Sequence, residues 1–150
     1  MTKPALFLRI AALLTLIHAV LHTIGGVFGK PGPGPATIAF QAMKMNQFLL
    51  MGHTRSYADF FRGFGLGFAI FLTAEAVLFW LLGSLAKTDA QRLRPILTTF
   101  LVAYAALAAN SYAYFFLGPV IAESLIAACL GFAIVTAKAP AAAYAGTARI

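Results

Sequence analysis

Acidic residues are nearly absent from this chain: it has four Asp and Glu in 150 residues, and charged residues of both signs make up only 10%. A water-facing surface needs roughly a quarter of its residues charged. With 61% hydrophobic residues, such a chain would aggregate unless lipid solvates most of its surface. Cysteine is scarce as well. Cys129 stands alone, which excludes an intrachain disulfide and a cysteine-based zinc cage. It lies in an apolar run, where a lone cysteine behaves as a small buried hydrophobe. Also missing are a Gly-rich phosphate loop, a nucleophile elbow and a His-Glu-x-x-His motif. The length is too small for the two large inverted repeats of a carrier.

What is abundant points the same way. The net charge is +7, but the basic residues sit at the ends of apolar runs, where they suit lipid phosphates rather than nucleic acid. Four apolar segments reach the roughly 20 residues needed to cross a bilayer: about 5–27, 60–85, 95–117 and 120–137. The first begins like a signal peptide after Lys3. It continues to Val27 through His18 and His22 with no small-x-small cleavage site, so it is read as a retained span. Gly118-Pro119 is expected to break the last two spans into a tight hairpin. The expected fold is all-α, a four-helix transmembrane bundle forming one domain over 1–138, with a flexible tail over 139–150.

The first connection is of another kind. Gly29-Lys30-Pro31-Gly32-Pro33-Gly34-Pro35 cannot be helical or enter hydrocarbon with its backbone unpaired. Residues 37–52 mix Ile38, Phe40, Met43 and Phe48 with Gln41, Lys44 and Asn46, too short and polar to span. They are expected to lie at the membrane interface, as a short helix or an ordered loop. Ser56-Tyr57-Ala58-Asp59 has the spacing of a capping box opening the second span. Lys3, Arg9, Lys87, Arg92, Arg94, Lys138 and Arg149 fall on one side of this topology, and Lys30, Lys44, Arg55 and Arg62 on the other. Seven against four predicts that both termini are cytoplasmic.

Polar groups in hydrocarbon are costly and tend to face the bundle interior. His18 and His22 lie one turn apart on one face, with Ala11, Thr15, Gly25 and Gly26. Asn110 and Tyr114 share a face with Ala103 and Ala106, and Glu123 aligns with Ala127 and Gly131. At 1.5 Å rise per residue, His22, Asn110, Tyr112 and Glu123 all fall about 6 to 11 Å below one interface. Asp59 and Arg62 lie near the rim above. A polar cluster of His18, His22, Asn110 and Glu123 is therefore expected. It either binds something or merely fixes helix register through hydrogen bonds. Asp59 and Arg62 serve it, or only pair with each other or cap the helix. Glu75, mid-span with no basic residue one turn away in its own segment, is either hydrogen-bonded or functional.

Three chemistries compete for the cluster. His18, His22 and Glu123 form a workable metal-ligand set, though the spacing is unspecific. A haem clamped between His18 and His22 is disfavoured, since both project from one face of one helix. A lipid, quinone or other apolar ligand could instead present its polar head to His22 and Tyr114.

Some local strings carry a resemblance. His22-Thr23-Ile24-Gly25-Gly26, the run from Arg55 to Leu66, Lys87-Thr88-Asp89 and Arg94-Pro95 together resemble a family of small four-span bacterial membrane proteins of uncharacterised function. The resemblance covers the chain to about Ala137, with Arg62 a departure where a neutral residue is expected. It implies a four-helix fold and the bacterial cytoplasmic membrane, and supplies no activity, substrate or cofactor. The favoured function is an accessory, assembly or small apolar-ligand-binding protein. Its partners would be the bilayer, another membrane protein or a second copy. The alternative is a membrane oxidoreductase or metal-binding protein using His18, His22 and Glu123.

Overall fold

A computed structural model of the chain describes residues 2–137; the tail expected over 139–150 lies outside them. Four helices are long and apolar enough to cross a membrane: Lys3–Val27, Tyr57–Asp89, Gln91–Tyr114 and Leu117–Thr136. The protein is a multi-span helical membrane protein with a short helix between its first two spans.

The first span comprises α1 (Lys3–Leu21) and a wide π turn over His22–Val27. There the Phe28 amide donates to the Thr23 carbonyl, five residues back, at 3.1 Å. The chain leaves this turn at Gly29, where a Cβ would strike the Gly25 carbonyl oxygen. Glycine is therefore required for the exit.

The interfacial segment is more structured than its sequence suggests. Helix α2 (Pro35–Met45) begins with proline, whose missing N–H costs nothing in a first turn. Strands β1 (Gln47–Leu50) and β2 (His53–Ser56) then pair antiparallel, Leu50 opposite His53. Their two-residue turn is Met51-Gly52, with φ of 49° and 82°. Two left-handed residues match the twist of a tight hairpin. Phe48 of β1 lies 5.1 Å from the Tyr57 ring and 5.3 Å from Phe60, centroid to centroid.

Helix α3 (Tyr57–Asp89) opens on the expected capping box. The Ser56 amide and hydroxyl both donate to Asp59 Oδ2, at 2.8 and 2.9 Å, and the Asp59 amide returns a bond to Ser56 Oγ at 3.2 Å. A 3₁₀ turn at Gln91–Leu93 leads into α4 (Arg94–Tyr114), and α5 (Leu117–Thr136) follows. The break between α4 and α5 falls at Phe115-Phe116, earlier than Gly118-Pro119. Pro119 occupies the first turn of α5, where the missing N–H forfeits no intrahelical bond.

The described chain forms two compact units: residues 2–15 with 76–137, and Leu16–Glu75. The core of the first is built from Leu8, Phe79, Leu97, Tyr104, Ile126 and Leu130, all essentially inaccessible. Phe79 meets Phe100 edge-on at 5.1 Å, and Phe7 stacks on Phe132 at 5.2 Å. Lipid tails are as apolar as these side chains, so close packing rather than escape from water holds them together. In the second unit Ala69, Leu72, Val27 and Ala58 are buried. Threonines within the spans bond back to their own helix: Thr15 to the Ala11 carbonyl at 2.9 Å and Thr73 to Ala69 at 2.8 Å.

Candidate functional site

The second unit holds the two span histidines. Residues four apart on a helix share a face, and here that face carries buried His18 and half-buried His22. Phe68 of α3 serves both. Its ring is edge-on to His22 at 5.1 Å and to His18 at 6.2 Å.

His22 Nε2 lies 3.0 Å from the Gly65 carbonyl oxygen. A carbonyl only accepts, so Nε2 carries the proton, and in the neutral ring Nδ1 is left with a lone pair. A side chain at residue 26 would crowd that nitrogen, since a Cβ there would stand 3.3 Å from Nδ1. Gly26 keeps the approach open. Gly65 has a matching role: a Cβ there would come within 2.9 Å of Val27 Cγ2. Bare backbone at both glycines thus lets the π turn lie against α3 with an imidazole between them.

His18 Nδ1 is buried and has no hydrogen-bond partner among the described residues. An unfilled buried polar atom costs about 1–3 kcal/mol, and most buried polar atoms are satisfied.

The other anticipated residues divide. In the first unit, Glu123 of α5 is only 2% exposed, Ser111 of α4 is buried as well, and Glu123 Oε2 has no partner among the described residues. Asp59 is committed to the capping box, and Arg62 is exposed. Glu75 is half-buried and interacts with a neighbour. The expected inward face of the third span needs correction. Asn110, Tyr112 and Tyr114 are exposed, as are Ala103 and Ala106; the buried positions are Leu97, Tyr104 and Ser111, seven apart. Tyr112 and Tyr114, 81% and 79% exposed, are followed by exposed Phe115 and Phe116 at the helix end.

A metal centre finds no support. Among the described residues no three His, Cys, Asp or Glu side chains are grouped so as to hold an ion. One polar residue was missed by the sequence reading. Arg9, counted only as a topological charge, is half-buried within the first span and bonds Ser84. An arginine about one turn inside an apolar run was the available signal.

These features define the class: a four-span helical integral membrane protein with an interfacial segment. Comparison with family models, curated proteins and solved structures gives no match.

Proposed function

We propose that this is a non-enzymatic protein of the bacterial cytoplasmic membrane that holds a small apolar ligand by a hydroxyl group at His22, with His18 beneath. The observation that carries this reading is the bond from His22 Nε2 to the Gly65 carbonyl. It turns Nδ1 into an acceptor beside Gly26, and so selects a ligand that donates, such as a phenol or quinol. Exposed Leu21, Ile24 and Phe28 offer apolar surface for the rest of the molecule. Both termini face the cytoplasm in this reading, on the seven-to-four distribution of basic residues.

The test compares 4-nonylphenol with its methyl ether, which differ only in the donor hydrogen, by calorimetric titration of the detergent-purified chain. The phenol binds about fivefold tighter, the worth of one net hydrogen bond. His22→Phe erases the difference, and His18→Phe reduces it. Equal affinity of phenol and ether for the wild-type chain refutes donor recognition at His22.

A further inference from the structure

Arg9 is the most costly residue in the first span and takes no part in the histidine site. It lies six residues beyond Lys3, about 9 Å along α1, with apolar residues from Ala5 to Leu8 and from Ile10 to Leu14 around it. A guanidinium carries five N–H donors and keeps its charge. Residues 80, 83 and 84 of α3, which share one helix face, receive it. Nη2 donates to Ser84 Oγ at 2.8 Å, and the Trp80 ring lies under Cζ at 3.5 Å. Gly83 leaves the room, since a Cβ there would stand 3.2 Å from Nε and 3.4 Å from Cδ. Nη1 is buried with no acceptor, and no carboxylate lies within ion-pair distance, among the described residues.

A serine hydroxyl and a ring face do not neutralise a cation in hydrocarbon. The surroundings indicate what does. The Thr2 hydroxyl donates to the Ala86 carbonyl at 3.2 Å, tying the start of α1 to the end of α3. Lys3, Lys87 and Arg94 are exposed in these adjoining segments, while Asp89 is engaged by Arg92 at 2.8 Å. Side chains on a helix lean toward its N-terminus, so Arg9 reaches back toward this basic end. Trp80, 54% exposed, offers the amphipathic ring that favours the headgroup level.

We infer that Arg9, framed by Trp80, Gly83 and Ser84, binds the phosphodiester of an anionic phospholipid from the adjacent leaflet. With Nη1 buried and one Nη2 hydrogen on Ser84, the second Nη2 hydrogen, on the exposed side, is the donor left for a phosphate oxygen, and the surrounding basic residues favour a lipid with net negative charge over a zwitterionic one.

Trp80 is the only tryptophan, so its fluorescence reports on this position alone. The whole chain is reconstituted into dioleoylphosphatidylcholine vesicles in which either that lipid or added dioleoylphosphatidylglycerol is brominated, and quenching of Trp80 counts the brominated neighbours. Phosphatidylglycerol is enriched at Trp80 about fivefold over its bulk share, the factor one basic side chain confers at an anionic surface. Arg9→Gln abolishes the enrichment. Gly83→Ala, which pushes the guanidinium aside, lowers it with helicity retained, and Lys87→Gln leaves more than half. Added inorganic phosphate does not compete. The inference is overturned by no enrichment in the wild type, or by enrichment that survives both Arg9→Gln and Gly83→Ala. It is overturned equally by loss in Lys87→Gln as complete as in Arg9→Gln, which means diffuse charge, or by displacement with inorganic phosphate.

Discussion

Replacing Gly65 by alanine sets two effects of known size against each other. Alanine is favoured over glycine inside a helix by about 1 kcal/mol. At Gly63 and Gly67, where a Cβ would meet nothing within 4 Å, that gain stands alone, so Gly63→Ala and Gly67→Ala stabilise by up to about 1 kcal/mol. At Gly65 the new methyl lies 2.9 Å from Val27 Cγ2. Val27 is buried, and a β-branched side chain has little rotamer freedom with which to yield. Overpacking of this kind costs about 1–3 kcal/mol, which exceeds the propensity gain. Gly65→Ala is therefore destabilising by about 1 kcal/mol, opposite in sign to its two neighbours on the same helix. Reversible unfolding in mixed micelles with increasing dodecyl sulfate measures all three. Val27→Ala placed on Gly65→Ala recovers most of the loss, a non-additivity expected of touching residues. Were Gly65→Ala to stabilise as much as Gly63→Ala, the π turn would not lie against α3 as described, and the His22–Gly65 bond would lose its support.

Two further outcomes are expected. Ser56→Ala removes the hydroxyl that both gives and receives a bond with Asp59, and costs about 1 kcal/mol in the same unfolding assay; no change would mean that the cap does not hold α3. Reporter fusions after Gly32 and after Ile150 report opposite sides of the membrane, the second cytoplasmic, and an external C-terminal reporter would reverse the assigned orientation.

The spans were legible because a run of about 20 apolar residues has few other uses, and the capping box because its two side chains lie three residues apart in sequence. Which face of each helix points inward was less legible. Grouping Ala103, Ala106, Asn110 and Tyr114 by small size and polarity selected the outer side of α4, whereas Leu97, Tyr104 and Ser111 are buried. In lipid both sides of a helix are apolar, so hydropathy does not separate them. The β1–β2 hairpin escaped notice because its strands have four residues each and its turn carries Met51, where asparagine or aspartate is the usual signal. Of the histidine site, the shared face of His18 and His22 followed from helical spacing. Their partners Gly65 and Phe68 did not, since nothing local in the sequence pairs a residue with one 43 positions away.

The spans differ greatly in length. Helix α5 has 20 residues and α3 has 33, so they measure about 30 Å and about 50 Å against a hydrocarbon layer about 30 Å thick. The long helix has several turns to spare, which it can accommodate by tilting or by standing out among the headgroups. The short one has none. In a thicker membrane α5 falls short first, and the lipid around it must thin to meet it. The protein is thus suited to thin bilayers through its last helix, while its longest one leaves membrane thickness almost unfelt.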